Sequence, residues 1–84
     1  MDKTFTDIGW DDFIYWRTQN LKTFDRISAL LKDIERNGVS KGIGKPEKLK
    51  HEDGWSRRID DKNRLIYKID EHGCLNIISC RGHY

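Results

Sequence analysis

The first half of the chain repeats apolar side chains every three to four positions. Residues 7–20 and 21–38 both show this spacing, which predicts two consecutive helices. Thr6 or Asp7 can cap the first helix, and Gly38 fits just past the end of the second. The residues expected to face the core are Trp10, Phe13 and Ile14 from the first helix and Phe24, Ile27, Leu30 or Leu31, and Ile34 from the second.

The second half alternates apolar and polar residues with the period of a β-strand. Residues 55–60, 64–70 and 74–84 are three such runs separated by short polar turns, which predicts an antiparallel meander. In the middle run Leu65, Tyr67 and Ile69 alternate with Arg64, Ile66 and Lys68, so we expect a half-buried strand with one wet face. A short strand at residues 2–6 precedes the helices. We therefore predict an α+β fold with both helices on one face of a mostly antiparallel sheet.

A long connection at residues 38–54 separates the two halves. It holds four of the seven glycines and the only proline, so it reads as a loop with a short strand at its centre. Loops of this length in a compact domain tend to be functional or disordered. At 84 residues the chain has the length of one domain, residues 1–84, with a small core.

Composition narrows the class of protein. Nine aromatic residues and a net charge of only +2 argue against disorder, and no apolar run is long enough to span a bilayer. With no secretory leader visible, we expect a cytosolic protein. Cys74 and Cys80 lie six positions apart in one strand-like run, too far for a disulfide within that strand. Cys80 and His83 form a C-x-x-H without a second ligand pair, so we expect neither metal nor cofactor.

Positive charge is concentrated in the middle of the chain. Residues 36–69 carry ten basic and five acidic side chains, whereas residues 1–35 carry five basic and seven acidic ones. This distribution suggests a polyanion partner, and a solvated lysine-rich loop is the alternative.

A set of polar residues from distant parts of the sequence falls on the predicted wet face. The loop supplies Glu47 among basic neighbours, the strands supply arginines, and the chain ends in Arg81, His83 and Tyr84. Arg57 and Arg58 point to opposite faces of their strand, so only one can belong to the site. We interpret the set as a site for RNA cleavage, in which a carboxylate takes the 2′-OH proton, arginines bind the phosphate and a histidine protonates the leaving oxygen. Glu47 as a surface ion-pair partner and His83 as a solvated tail residue are the alternatives.

Five segments in order, "WDDFIYW", "KGIGKPEKLKH", "WSRRI", "RLIYKI" and "SCRGHY", resemble the YoeB/Txe-type toxins of the RelE-like superfamily. The resemblance implies a microbial-ribonuclease-like fold and a ribosome-dependent mRNA endoribonuclease that cuts message in the A site. It assigns Glu47 as general base and His83 as general acid. Further site residues that it implies are Arg64 and Arg58 at the phosphate, Tyr84 for substrate positioning, and Lys50, Arg81 and Lys45 as RNA contacts.

The resemblance also implies partners. These are an antitoxin of the YefM/Phd type, the 70S ribosome with its mRNA, and DNA only through the antitoxin complex. A homodimer is a further alternative, with Trp10, Tyr15 and Trp16 as candidates for its contact or for the core. Gly82, Lys48 and Gly54 depart from the residues common in the family, but none is a catalytic position.

Two other functions fit the same residues. One is a non-catalytic RNA- or ribosome-binding module or an inactive toxin homologue, in which the basic residues only bind phosphate. The other is a structural domain that binds a partner protein. If the protein is a nuclease, Glu47→Gln should abolish most of the cleavage while binding persists, which a binding module does not predict. If it is only a structural domain, Arg64→Ala and His83→Ala should leave its toxicity to cells unchanged.

Overall fold

The computed structural model of the protein describes residues 1–82; His83 and Tyr84 lie outside the described residues. Within residues 1–82 the chain forms two helices and five strands. In chain order these are β1 (Lys3–Phe5), α1 (Asp7–Gln19), α2 (Leu21–Asn37), β2 (Glu47–Lys48), β3 (Trp55–Arg58), β4 (Arg64–Ile69) and β5 (Leu75–Ser79). The helices of this part of the chain are all too short or too polar to cross a membrane.

The strands form a single mixed sheet in the order β1-β5-β4-β3-β2. β1 runs parallel to β5, and the other three pairs are antiparallel. The predicted α+β fold and mostly antiparallel sheet are confirmed. β2 is the short strand expected within the long loop, and β5 ends at Ser79, earlier than the predicted run of residues 74–84.

Local capping explains where the helices begin and end. Thr6 is the N-cap of α1, since its hydroxyl accepts a hydrogen bond from the Gly9 amide at 2.9 Å. Asn20 ends α1 in an extended conformation and caps α2 by accepting from the Thr23 amide at 3.2 Å. Gly38 ends α2 with a φ of 88°, a conformation that glycine adopts without a steric penalty.

The core lies between α2 and the middle of the sheet. The buried side chains of α2 are Ile27, Leu30, Leu31 and Ile34, so both leucines of the predicted pair are buried. They pack against the helix-facing side of β4 and β5, formed by Leu65, Tyr67, Leu75 and Ile77. Burying these apolar surfaces is the main favourable term in the free energy of folding.

Two predictions about burial in α1 are wrong. Trp10 and Ile14 are 50% and 40% exposed, because α1 meets the rest of the protein through another face. Phe13 packs against the core, and Gly9 lies so close to β5 that a Cβ atom there would be 2.3 Å from the Ile77 carbonyl oxygen. The Trp10 ring instead lies edge-on to Phe5, with 5.4 Å between ring centroids.

The wet face of β4 is also less exposed than predicted. Ile66 is buried although it shares that face with Arg64 and Lys68. β4 has neighbours on both sides, and the sheet register places Ile66 between Ser56 of β3 and Ser79 of β5. Ile66 therefore forms a small apolar floor beneath the polar face.

Candidate functional site

The sheet register places Glu47, Arg58 and Arg64 on the face opposite the helices. Glu47 of β2 pairs with Ser56 of β3, and Arg58 of β3 pairs with Arg64 of β4. Side chains of directly paired residues point to the same face, and residues two apart in a strand share a face. One carboxylate and two guanidinium groups from three strands therefore converge on the same side of the sheet.

A pocket of about 490 Å³ opens on this face. It contains Glu47 and Arg64, two residues predicted to be catalytic, together with Lys50, predicted to contact RNA. The lining residues are Glu47, Lys48, Leu49, Lys50, His51, Ser56 and Arg64. The chain thus brings one carboxylate into a pocket rich in basic groups, which suits the binding of an anionic ligand.

Four lining residues, Lys48, Leu49, His51 and Ser56, are not among the site residues predicted from the sequence. His51 flanks Glu47 in the lysine-rich loop, and its imidazole offered a signal in the sequence. Ser56 carried no such signal. It joins the pocket because its register position lies directly beside Glu47.

Gly82 is held beside Arg64 by two hydrogen bonds. The Arg64 amide donates to the Gly82 carbonyl at 3.0 Å, and the Gly82 amide donates to Asn63 Oδ1 at 2.8 Å. Strand pairing of β5 itself ends at Ser79, so these two hydrogen bonds lie beyond the ladder. Asn63 is a site-supporting residue that sequence reasoning misses, because nothing local in the sequence links residues 63 and 82.

Helix α1 holds the segment between β5 and Gly82. The Cys80 amide donates to Asp12 Oδ2 at 3.0 Å, and Trp16 Nε1 donates to the Cys80 carbonyl at 2.8 Å. The Arg81 guanidinium carbon lies 3.6 Å from the centroid of the Tyr15 ring, a cation–π geometry. Trp16 and Tyr15, candidates for either core or dimer contact, therefore both contact the C-terminal segment.

The remaining predicted site residues differ in position. Arg81 and Lys45 are exposed and do not line the pocket. Lys45 has a φ of 52°, unusual for a residue with a side chain, at the point where the loop turns into Pro46 and Glu47. His83 and Tyr84 lie outside the described residues, so their predicted roles stay predictions.

Arg57 lies on the core side of the sheet and is fully buried. Its register partner is Leu65, and its guanidinium group points under the 38–43 loop rather than into the pocket. Arg58 is exposed on the pocket face. Of the two arginines that alternation alone left undecided, Arg58 is the one on the same face of the sheet as the pocket, although it does not line the pocket.

The cysteine thiols show no sign of activation. Both cysteines are free, and Cys80 is completely buried. Burial raises the pKa of the Cys80 thiol to about 12, and the nearby Asp12 carboxylate contributes to that shift. A protonated thiol is a poor nucleophile, so Cys80 is a packing residue. Within residues 1–82 there is also no group of three or more His, Cys, Asp or Glu side chains placed to hold a metal ion.

Comparison with known proteins gives the family. The sequence model of one protein family, described as the YoeB-like toxin of bacterial type II toxin–antitoxin systems, matches residues 5–84. The chain belongs to the YoeB-like toxin family. It is 46% identical over 83 residues to Toxin YoeB of Streptomyces coelicolor, with 96% of each chain covered, and 38% identical over 86 residues to Toxin YoeB of Escherichia coli K12, with both chains fully covered.

Solved structures of YoeB proteins show the same architecture. The YoeB dimer of Staphylococcus aureus superimposes with a TM-score of 0.92 at 41% identity, covering 100% of this chain and 98% of that one. YoeB in the YoeB–YefM complex of the same organism gives a TM-score of 0.91 at 42% identity, with the same coverage. YafQ in the Escherichia coli DinJ–YafQ complex, at 15% identity and a TM-score of 0.74, shares only the fold; it covers 98% of this chain and 92% of that one. The protein is therefore a toxin of a type II toxin–antitoxin system.

Proposed function

We propose that this YoeB-like toxin is a ribosome-dependent mRNA endoribonuclease, organised as one catalytic domain spanning residues 1–84. The observation that carries the proposal is the meeting of Glu47 and Arg64 in one basic pocket, from strands β2 and β4. Membership of the family supports the same reaction, since its resemblance implies cleavage of message in the ribosomal A site. The pocket opens on one face of the sheet, and an extended RNA strand can lie across it.

The proposed reaction uses the ribose 2′-OH as nucleophile. Glu47 removes its proton, and the oxygen attacks the adjacent phosphorus. Arg64 and Arg58, paired across β3 and β4, stabilise the negative charge that develops on the phosphoryl oxygens. Lys50 in the pocket and the exposed Lys45 and Arg81 bind the flanking phosphates. The products are a 2′,3′-cyclic phosphate and a free 5′-OH.

We assign His83 as the acid that protonates the 5′ oxygen, and Tyr84 as the residue that positions the substrate. What supports the assignment is the anchoring of the preceding residue: Gly82 is hydrogen-bonded to the amide of Arg64 and to the side chain of Asn63. The residue that precedes His83 in the sequence is therefore held beside the strand that carries Arg64.

Glu47→Gln tests the reaction. We expect it to reduce cleavage by about 10²- to 10⁴-fold while ribosome binding persists, because the amide cannot accept the proton. The matched control is Glu52→Gln, an exposed glutamate of the same loop that does not line the pocket. The measurement is mapping of new mRNA 5′ ends in a translating extract. A Glu47→Gln protein that cuts at the wild-type rate would show that Glu47 is not the base.

The non-catalytic alternative predicts a different result. If the basic residues only bind phosphate, wild-type protein would bind ribosomes without producing new 5′ ends. If the protein is a ribosome-dependent endoribonuclease, the cuts should be restricted to codons that a ribosome occupies. Free cutting of naked RNA would instead point to a ribosome-independent nuclease.

Membership of the family supports a set of proposed partners. We propose a YefM/Phd-type antitoxin as the inhibitor, in line with the solved YoeB–YefM complex, with operator DNA bound only through that complex. We propose that the toxin acts on mRNA bound to the 70S ribosome, and therefore that it works in the cytoplasm. We also propose a homodimer, as in the solved YoeB dimer, with the exposed Trp10 and Ile14 of α1 at its contact.

A further inference from the structure

Arg57 uses every donor of its buried guanidinium group. Nε donates to the Tyr67 hydroxyl at 2.9 Å, Nη1 to the Asp33 carboxylate and the Ile43 carbonyl, and Nη2 to two further loop carbonyls. Those two are the carbonyls of Gly38 and Lys41, at 2.8 and 2.6 Å. An arginine side chain has five N–H donors, and all five are satisfied here.

The acceptors show what the guanidinium group holds. Three of them are backbone carbonyls of residues 38–43, a segment without regular secondary structure. Asp33 of α2 accepts from Arg57 and also from the Ile43 amide at 3.0 Å, and the Tyr67 hydroxyl donates to the Val39 carbonyl at 2.6 Å. We call Arg57, Asp33 and Tyr67 the loop clamp. It binds the loop from the core side, from elements that belong to the rigid sheet and helix.

Two glycines are required by this arrangement. A Cβ atom at Gly42 would lie 1.8 Å from Asp33 Oδ2 and 3.0 Å from Arg57 Nη1. One at Gly44 would lie 2.8 Å from Leu30 Cδ2 and 3.2 Å from Arg57 Cβ. The Gly44 carbonyl also accepts from the Arg58 amide at 2.7 Å, which joins the loop to β3. The loop backbone is therefore pressed onto the clamp, three residues before Glu47.

We propose that Arg57, with Asp33 and Tyr67, is a positioning residue that places Glu47 in the pocket by holding the 38–44 loop. The inference rests on the proposed function of Glu47. The two neighbouring arginines of β3 then have different roles. Arg58 lies on the face of the sheet that carries the pocket, and Arg57 holds, from the core side, the loop backbone that leads to Glu47. β2 itself is only two residues long, too short to define the position of Glu47 by its own ladder.

The test compares Asp33→Ala with Asp33→Asn. Alanine removes the acceptor shared by Arg57 and Ile43, whereas asparagine keeps an oxygen that can accept from either. We expect Asp33→Ala to lower kcat by about 10- to 100-fold with KM changed less than about threefold, and Asp33→Asn to recover most of the rate. Amide hydrogen exchange at Ile43 and Arg58 is measured on the same proteins, and it should accelerate only in the alanine variant.

Glycine variants provide a second pair, in which Arg57, Asp33 and Tyr67 are themselves not substituted. Gly42→Ala collides with Asp33, whereas Gly73→Ala, in the β4–β5 turn, has no atom within 4 Å of the added Cβ. Both positions have a positive φ, 118° and 79°, so both variants carry backbone strain. We expect lower kcat only for Gly42→Ala. If Asp33→Ala does not fold, this pair tests whether the loop clamp positions Glu47.

The outcomes separate the inference from the proposed function. Faster loop exchange with an unchanged kcat would overturn the positioning role of Arg57. Wild-type protein that cuts no message would overturn the proposed function instead. In that case the NMR shift of the Glu47 amide is the readout: a shift in Asp33→Ala and Gly42→Ala supports the clamp, and an unmoved resonance overturns it.

Discussion

Replacing Tyr67 by phenylalanine removes one oxygen atom from the interior and tests the loop clamp energetically. The Tyr67 side chain is fully buried, and its hydroxyl both accepts from Arg57 Nε and donates to the Val39 carbonyl. Burial raises the pKa of this phenol, so the hydroxyl keeps its proton and donates throughout the neutral range. The phenylalanine ring fills the same space, so the change isolates the two hydrogen bonds.

The magnitude follows from the two groups left without a partner. Each buried donor or acceptor that loses its hydrogen bond costs about 1–3 kcal/mol, so for two groups we expect a loss of about 2–6 kcal/mol in the free energy of unfolding. A domain of this length has a free energy of unfolding of roughly 4–13 kcal/mol. At about 4–8 °C per kcal/mol, the melting temperature should therefore fall by at least about 8 °C.

Urea unfolding followed by tryptophan fluorescence measures the loss, since the chain has three tryptophans. The control is Tyr15→Phe, which keeps the ring beneath Arg81 and should change the free energy of unfolding by less than about 0.5 kcal/mol. A loss in Tyr67→Phe as small as that of the control would refute the reasoning, because it would mean that water or a local shift satisfies Arg57 and Val39.

Three further predictions concern the chain end, the surface of α1 and the response to acid. Trp16→Phe should speed amide hydrogen exchange at the residues after Ser79 and lower the cleavage rate, because the Cys80 carbonyl loses its hydrogen bond from the indole. Unchanged exchange would show that this hydrogen bond does not hold the C-terminal segment. Trp10→Ser should shift a homodimer toward monomer in sedimentation without reducing the free energy of unfolding of the monomer by more than about 1 kcal/mol, since the ring is half-exposed. The hydrogen bond from Arg57 lowers the pKa of Asp33 in the folded protein, so the unfolded chain binds the proton more tightly than the folded one. The ionised carboxylate therefore stabilises the fold above about pH 4, and this stabilisation is lost as the pH falls through the folded-state pKa of Asp33. The urea midpoint of Asp33→Asn should accordingly fall less in acid than that of the wild type.

Much of the fold was predictable because its determinants are local. The 3.6-residue spacing of α2, the caps at Thr6 and Gly38, and the alternation in β4 each depend on neighbours within a few positions. The glycine-rich composition of the 38–54 connection likewise predicted a loop, and the structure shows why Gly42 and Gly44 are needed: their backbones lie against Asp33, Leu30 and Arg57.

The residue types of the site were also visible in the sequence, but their arrangement was not. A glutamate among lysines and an arginine opening β4 indicated phosphate chemistry, and the structure places Glu47 and Arg64 in one pocket. Strand alternation put Arg57 and Arg58 on opposite faces without saying which face holds the core. The family resemblance assigned Arg58 to the site, and the packing of α2 on the sheet gives the physical reason, since it buries the face that carries Arg57.

The sequence by itself determined the order of helices and strands and the kinds of side chain available, because propensity, caps and periodicity act over a few residues. Tertiary structure decided which of those side chains meet. Trp10 is exposed since α1 docks through Gly9 and Phe13, and Asn63 reaches Gly82 across 19 positions of sequence. Contacts of that kind depend on how whole elements pack, and no local pattern encodes them.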